Sequence, residues 1–288
     1  MSSRRSLDFF LKGLPLHDDG IYRGLITNNK SQNIEIEMRE SFANQNIDDY
    51  FALIQKSHSV PVMDFEVRRF LQKMPKHAVI LDIGGCWGWH WREIQEVRPD
   101  VRVVIIDFVL QNLIHAKKLL EDLVGDQIFL VHADATRLPF RDADAISNGF
   151  DGVWTVQTLQ HIPDFKLAIS ELFRVLKPRG FFINYSLNIQ LHMKIIYKLL
   201  RKRYHISGVL NGEYFLERAS AFQKFVIQSQ FQSEVAERWS EILFSPEILI
   251  FWPGIRSGIL GRLDALLSNN IGFLRSFARQ HSFECHKN

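Results

Sequence analysis

The sequence predicts a doubly wound α/β fold, in which helices cover both faces of a mainly parallel sheet. Short apolar runs rich in β-branched residues alternate with segments of helical periodicity, a pattern typical of strands buried on both faces. Two of these runs end in residues of functional interest. The run AVILDIGG at 78–85 ends in two glycines, and the run VRVVIID at 101–107 ends in an acid. Such folds bind ligands at the carboxyl ends of their strands. These two strand ends are therefore the first candidates for a functional site.

The amino-acid composition excludes several classes of protein. The 288 residues are 46% hydrophobic and 23% charged, which excludes a disordered or low-complexity chain. The formal net charge of +3 is too small to indicate nucleic acid as a partner. Cys86 and Cys285 cannot form a disulfide framework, and neither has the spacing of a metal ligand. We expect a reducing, cytoplasmic location, no metal site and no signal peptide or spanning helix.

Residues 1–75 precede the first predicted strand, and we expect them to form an N-terminal extension with a helical cap. Helical patterns run over 46–75, where Pro61 divides them into two pieces and Pro75 ends the second. Residues 76–288 then form the α/β domain. Its predicted elements begin with a strand at 78–85, a helix at 89–97, a strand at 101–107, a helix at 109–124, strands at 127–134 and 150–157, a helix at 164–176 and a strand at 180–186.

The strict alternation stops after the strand at 180–186. We expect two insertions in the remaining chain, at about 187–216 and at 244–279. The other predicted elements are helices at 189–204, 217–231 and 246–278, and strands at 233–243 and 282–287.

The turn after the first predicted strand has the sequence Asp82-Ile83-Gly84-Gly85-Cys86-Trp87-Gly88. Glycines permit a tight turn and the close approach of a ligand. The N-terminus of the helix that follows offers free N–H groups to a polar or anionic group. The dinucleotide fingerprint G-x-G-x-x-G is not present, because positions 84, 86 and 89 are Gly, Cys and Trp. This spacing argues against a nicotinamide-dependent oxidoreductase.

Acidic residues also end the second and third predicted strands. Asp107 lies 23 residues after Gly84, a position suited to hydrogen bonds with the two hydroxyls of a ribose. The Asp134 carboxylate is placed to accept a hydrogen bond from an adenine amino group, while backbone near Ala135 pairs with a ring nitrogen. The alternative for Asp134 is a helix N-cap or turn.

With these motifs in order, residues 78–186 resemble the class I S-adenosylmethionine-dependent methyltransferases, in the broad group that includes the ubiquinone-biosynthesis methyltransferases. The glycine turn is similar to the family's D-x-G-x-G-x-G loop. Leu138-Pro139-Phe140, FDGVWTVQTLQHIPD at 150–164 and LFRVLKPRGFFIN at 172–184 resemble later family blocks. The resemblance implies a seven-stranded sheet with its last strand antiparallel, S-adenosyl-L-methionine as cofactor, and acceptor-side roles for both insertions.

The resemblance also implies the residues that bind the cofactor, at the glycine loop and at the ends of strands two to four. They are Asp82, Gly84, Gly85, Cys86, Trp87, Gly88, Asp107, Phe108, Asp134, Ala135, Gln157 and Thr158.

Cys86 departs from the family pattern, because it stands where the family has its middle glycine. Its side chain is expected to crowd the methionine part of the cofactor or to shift the backbone φ angle. Trp87 and Trp89 have two interpretations, as walls of the methionine end or as core residues. For Trp91 we expect packing against the N-terminal helices.

His161 is the candidate catalytic base, because an imidazole can remove a proton from an acidic hydroxyl near neutral pH. The alternative is that His161 only fixes the loop after the fourth strand. Methyl transfer from a sulfonium mainly requires alignment of the acceptor and exclusion of water, so activity does not depend on an obvious base.

The functional prediction is methyl transfer from S-adenosylmethionine to a small-molecule, lipid-type or glycan-type acceptor. O-methylation is the first choice, with C- and N-methylation open. Gln157-Thr158-Leu159-Gln160 stands where an Asn-Pro-Pro-Tyr-like block would follow strand four, which argues against the DNA and protein-glutamine amino-methylating groups. The alternative is a non-catalytic cofactor-binding or scaffold protein, for which Cys86 is the indication.

The predicted helix at 189–204 is basic and amphipathic. It has two interpretations, as a surface for an anionic membrane or acidic substrate, and as a solvated face on an insertion. The apolar segment 241–279 favours an apolar acceptor, a lipid-linked glycan or a membrane edge. The cations on one face of the helix are Lys194, Lys198, Arg201 and Lys202.

Overall fold

The structure, a computed structural model, describes residues 11–26, 37, 40, 60–144, 149–188, 190–201, 220–242 and 258–288. The strands are β1 (Tyr22–Arg23), β2 (Val79–Ile83), β3 (Arg102–Asp107), β4 (Ile128–His132), β5 (Phe150–Val156), β6 (Leu176–Leu187), β7 (Ala236–Ser240) and β8 (Gln280–His286). The α-helices are α1 (Val60–Lys73), α2 (Ile94–Val97), α3 (Leu110–Leu119), α4 (Phe165–Val175), α5 (Leu191–Leu199), α6 (Ser220–Phe231) and α7 (Gly258–Asn270).

These strands form one mixed sheet in the order β1-β4-β3-β2-β5-β6-β8-β7. The neighbours from β1 to β6 pair in parallel, whereas β8 runs antiparallel to both β6 and β7. The predicted α/β fold and its antiparallel last strand are confirmed.

The predicted count of seven strands is wrong, because the described chain has eight. The additional strand is β1, whose residues Tyr22 and Arg23 pair with Val131 and His132 on the free edge of β4. Two residues are too few to show a period, so no pattern in the sequence marks β1. The N-terminal extension therefore supplies a sheet edge as well as the helix α1.

The core has two layers, one on each face of the sheet. Because side chains alternate along a strand, Ile80 and Ile105 pack with α1 and α3, whereas Leu81 and Val104 pack with α4 and α6. The β-branched runs are buried on both faces for this reason. Their carboxyl ends emerge together at one edge of the sheet.

Several predicted helices have different boundaries in the structure. The helix predicted at 109–124 ends at Leu119 and is followed by a 3₁₀ turn at Glu121–Leu123. Helix α1 has Pro61 in its first turn, where a missing N–H costs no hydrogen bond. The first half of the predicted 46–75 helix lies outside the described residues. The predicted helix at 89–97 is wrong as a single element. A 3₁₀ turn, Trp89–Trp91, and α2 occupy this segment, because Glu93 has non-helical backbone angles of φ −105° and ψ 11°.

The C-terminal part adds α5, α6, β7, α7, a 3₁₀ turn (Gly272–Phe277) and β8. Helix α7 packs on α1, and Gly261 permits this approach because a Cβ there would collide with the carbonyl of Pro61. Of the predicted insertions at about 187–216 and 244–279, residues 189, 202–216 and 244–257 lie outside the described residues. No helix in the described ranges is both long and apolar enough to cross a membrane.

Candidate functional site

The glycine loop follows β2 and lies between the carboxyl ends of β3 and β5. Gly84 has a φ of 65° and its N–H donates to the carbonyl of Ile106 at 2.8 Å. A Cβ on Gly84 would collide with Thr158, and a Cβ on Gly85 would collide with the carboxylate of Asp82. The backbone here therefore requires glycine both for conformation and for space. Gly88 also has a positive φ, of 69°.

Cys86 has a left-handed backbone conformation, with a φ of 52°. Its N–H donates to Asp107 Oδ2 at 3.1 Å, and its side chain packs against the core layer that contains the tryptophans. A residue other than glycine is strained in this region. The expected crowding of the cofactor stays a prediction.

Asp107 connects the glycine loop to the start of α3. Its Oδ1 accepts hydrogen bonds from the N–H of Val109 at 2.8 Å and from Asn112 Nδ2 at 3.3 Å. Its Oδ2 accepts from the N–H of Cys86. The carboxylate is thus held at the end of β3, next to the loop, where the sequence predicts a ribose ligand.

Asp82 lies beneath the loop and is fully buried. Its Oδ2 accepts a hydrogen bond from Trp91 Nε1 at 2.6 Å. Desolvation raises the pKa of this carboxyl to about 7, and the nearby negative charge of Asp107 also raises it, although the bond from Trp91 acts in the opposite direction. The predicted contact between Asp82 and the cofactor's amino group stays a prediction.

Three tryptophans of the loop region are core residues in the structure. Trp87 donates from Nε1 to Asn112 Oδ1 at 3.0 Å and stacks on His115, with ring centroids 4.1 Å apart. Trp89 and Trp91 are also buried. The packing interpretation holds for these side chains, whereas a contact between Trp87 and the cofactor stays a prediction.

Asp134 has one satisfied and one unsatisfied carboxylate oxygen. Its Oδ1 accepts hydrogen bonds from the N–H and the hydroxyl of Thr136, both at 2.8 Å. Its Oδ2 is buried without a hydrogen-bond partner. A buried acceptor without a donor is costly, so this oxygen fits an incoming N–H group such as an adenine amino group. The turn interpretation and the ligand interpretation are therefore compatible.

The residues after β5 complete this edge of the sheet. Thr158 Oγ1 lies 3.3 Å from the carbonyl oxygen of Gly84, to which it donates. Gln157 has a φ of 53°, and its Nε2 is buried without a partner. The pair of unsatisfied groups, an acceptor on Asp134 and a donor on Gln157, fits a ligand that offers both polarities, as an adenosyl group does.

His161 lies slightly farther along, at the end of the 3₁₀ turn Leu159–His161. Its N–H donates to the carbonyl of Thr158 at 2.8 Å, and its Nε2 lies 3.2 Å from Gln160 Nε2. The side chain is partly exposed. Its predicted role as a base is compatible with this place but stays a prediction.

Ala135 and Phe108 flank the acids at their strand ends. Ala135 packs against the core layer on the α4 side, and the carbonyl of Phe108 lies 3.0 Å from His132 Nε2. Asn112 links Asp107 to Trp87 and was not among the predicted site residues. Its only signal is a polar residue at an otherwise apolar position of the predicted α3.

The segment that carries the candidate site matches a known protein family. Residues 81–184 match a family model described as a methyltransferase domain. A demethylmenaquinone methyltransferase of Listeria welshimeri is 30% identical over 111 residues, which cover 38% of this chain and 45% of the relative. The enzyme of the same name from Oceanobacillus iheyensis is 32% identical over 96 residues, covering 33% of this chain and 38% of the relative. The matched segment thus spans less than half of either relative.

A solved structure extends the fold comparison to most of the chain. An S-adenosylmethionine-dependent methyltransferase from Thermotoga maritima superimposes with a TM-score of 0.54 at 13% identity. The alignment covers 90% of this chain and all of the other. At this identity the comparison shows a shared fold.

Proposed function

We propose that this chain, whose residues 81–184 form a class I S-adenosylmethionine-dependent methyltransferase domain, transfers the methyl group of S-adenosylmethionine to a small-molecule acceptor. The observation that carries the proposal is the buried, unpartnered Oδ2 of Asp134. It lies at the same edge of the sheet as the glycine loop and Asp107. An adenosyl ligand would supply the missing donor there.

In this proposal each residue at this edge of the sheet binds a different part of the cofactor. Asp107 would receive the ribose hydroxyls, since its carboxylate already ends β3 beside the loop. Asp134 would receive the adenine amino group. The glycine loop would lie against the cofactor through its backbone, because Gly84 and Gly85 let the loop pack tightly on Thr158 and Asp82 beneath it.

S-adenosylmethionine, when bound, supplies a methyl group that is already activated by a positively charged sulfur. The chain's own residues then align the acceptor and keep water out. In this proposal an imidazole nitrogen of His161 takes the proton of an acceptor hydroxyl, so O-methylation is the favoured reaction. Methylation of carbon or nitrogen would not require His161 to act in this way.

For the acceptor we propose an apolar small molecule of quinone or related lipid type. The names of the curated relatives, demethylmenaquinone methyltransferases, support this class. The apolar residues of the C-terminal segment support it independently. A glycan-type acceptor is the second choice. It ranks below the apolar acceptor because no feature of the described residues favours it.

Isothermal calorimetry with S-adenosylmethionine and S-adenosylhomocysteine tests the cofactor site. Asp134→Asn places an amide in an acceptor position and should weaken binding about tenfold to a hundredfold, as expected for one mispaired buried group. Asp107→Ala should abolish measurable binding. The matched control is Asp126→Asn, an exposed acid, which should bind as the wild type does. Wild-type protein that is folded but binds neither compound would refute the proposal.

The non-catalytic alternative is supported by the strained Cys86 in the loop. Transfer of an isotope-labelled methyl group to reduced quinones and to simple phenols distinguishes it from an enzyme. Cofactor binding without transfer to any acceptor tried would favour the scaffold. Mass spectrometry of a labelled product would identify the methylated atom.

A further inference from the structure

Helix α5 is the most exposed apolar element of the described chain. It contains no buried residue, although most of its side chains are apolar. Leu191, Ile195 and Leu199 follow each other at intervals of four and form one stripe along the helix. Leu199 is 78% exposed and Ile195 is 51% exposed. Large apolar side chains held in water at this spacing indicate a surface that another apolar phase covers.

The charges on α5 flank this stripe. Lys194 and Lys198 each precede a stripe residue by one position, and both are exposed, as is Arg201 at the end of the helix. The sequence has no acidic residue between 187 and 201. The face thus combines apolar side chains with cations alone. That combination is typical of helices that lie in the interface of an anionic bilayer.

The apolar surface continues onto the 3₁₀ turn Gly272–Phe277. The ring of His192 stacks on Phe277 with centroids 5.6 Å apart, and Phe277 contacts Phe273 at 5.2 Å. Phe273 is 70% exposed. Gln190 Nε2 donates to the carbonyl of Phe277 at 3.0 Å, which fixes the two elements to each other. We call the exposed side chains of α5 together with Phe273 the α5 face.

The α5 face lies at the same edge of the sheet as the candidate cofactor site. Helix α5 begins four residues after the carboxyl end of β6, and the 3₁₀ turn leads into Gln280, which pairs with Leu187 at that end. A surface lying against the α5 face would therefore be close to the edge where the glycine loop and Thr158 meet.

We propose that the α5 face docks on the surface of a phospholipid bilayer that contains anionic lipids. The apolar stripe enters the boundary between headgroups and acyl chains. Lys194, Lys198 and Arg201 lie at the level of the lipid phosphates. The contact is peripheral and reversible, because one short helix and one aromatic ring supply it. It needs no methyl donor and stands independently of the proposed function.

Vesicle flotation tests this proposal, with vesicles of phosphatidylcholine alone and of equal parts phosphatidylcholine and phosphatidylglycerol. The full chain should bind the anionic vesicles, with weaker binding in high salt, and should bind neutral vesicles poorly. Lys194→Gln with Lys198→Gln should weaken binding to anionic vesicles about thirtyfold, the effect of two lost surface cations. Leu199→Glu should weaken it by about tenfold or more.

Matched controls use similar residues elsewhere on the surface. Leu167→Glu changes an exposed leucine of α4, and Lys76→Gln with Lys118→Gln removes two exposed lysines. Both controls should bind vesicles as the wild type does. All variants should bind S-adenosylhomocysteine equally in calorimetry, so a failure here is distinguishable from a failure of the cofactor site.

Three results would overturn the proposal. The first is wild-type protein that stays unbound in the presence of anionic vesicles. The second is a loss of binding that is as large in the controls as in the α5 variants. The third is a dimer in sedimentation that Leu199→Glu dissociates, without vesicle binding, because the α5 face would then contact a second copy of the chain.

Discussion

The Asp82 carboxyl makes the stability of this protein depend on pH. Its pKa is about 7 in the folded chain against 3.8 for an ordinary aspartate, mainly because it is desolvated. A raised pKa in the folded state means that this group stabilises the fold at acidic pH. That stabilisation is lost as the pH rises from about 4 to about 7.

Asp82→Asn should remove this loss, since an amide oxygen still accepts the hydrogen bond from Trp91. Urea denaturation at pH 4.5 and at pH 8 gives the free energy of unfolding of both proteins. Between pH 4.5 and pH 8, the free energy of unfolding of the variant should rise relative to that of the wild type by about 3 kcal/mol. An equal difference at both pH values would contradict the assignment.

Cys86 offers a second test at the scale of one residue, because its φ of 52° favours glycine. Cys86→Gly and Cys86→Ala both remove the thiol. In most positions alanine is the more stabilising residue, but here the glycine variant should be more stable by about 1 kcal/mol. Cys86→Val should be the least stable of the three. Thermal denaturation checks the order, and alanine above glycine would exclude backbone strain at this position.

The candidate site could be predicted in part, because strand ends are visible in the sequence. Asp107 and Asp134 follow apolar runs, so their places at one edge of the sheet follow from the fold. The partners of these acids could not be predicted. The hydrogen bonds from Trp91 to Asp82 and from Asn112 to Asp107 depend on how the helical segments pack on the sheet. The spacing of residues in the sequence does not specify that packing.

A buried group of charges joins α1 to the far end of the sheet. Glu66 is 1% exposed and accepts hydrogen bonds from Tyr185 Oη at 2.7 Å and from Arg69 Nε at 2.8 Å. Arg238 of β7 also donates to Glu66, at 3.1 Å. Arg69 further pairs with Glu284 of β8. One helix is thereby connected to three strands, β6, β7 and β8.

Removing the charge of Glu66 should lower the free energy of unfolding far more than removing the hydroxyl of Tyr185. Glu66→Gln leaves the partly buried Arg69 and Arg238 to share Glu284 as their remaining counter-charge, and should lower the free energy of unfolding by about 3–5 kcal/mol. Tyr185→Phe should lower it by about 1–2 kcal/mol. The control is Arg68→Gln, which breaks an exposed pair with Glu93 and should cost less than about 1 kcal/mol. Urea denaturation measures all three, and equal losses would argue against a buried network.

Regular elements could be predicted where apolar runs were long enough to show a period. Strands β2 to β5 and helix α4 lie within a few residues of their predicted positions. Strand β1 was not predicted, because its two residues show no period and pair along the free edge of β4. The two short helical pieces between Trp89 and Val97 were predicted as one helix, since side-chain periodicity does not reveal a local change in backbone angles.

At the scale of the whole molecule, the parallel strands gather two proposed surfaces at one edge. The candidate cofactor site lies at the carboxyl ends of β2 to β5, and the α5 face lies beyond the same end of β6. An apolar acceptor held in a bilayer would then be able to approach the methyl donor without first entering water. The ion pairs of Glu66 with Arg69 and Arg238, and of Arg69 with Glu284, hold α1 against the last strands of the sheet.

Strand β8 is synthesised after both of the strands that flank it in the sheet. Until residues 280–286 leave the ribosome, β6 has an open edge and β7 lacks its neighbour. Open strand edges pair readily with other chains. The nascent domain therefore passes through an interval in which it is prone to aggregate, and this interval ends only when β8 inserts. Slower translation of the preceding segment would lengthen that exposure, so production of the protein should be sensitive to chaperone supply.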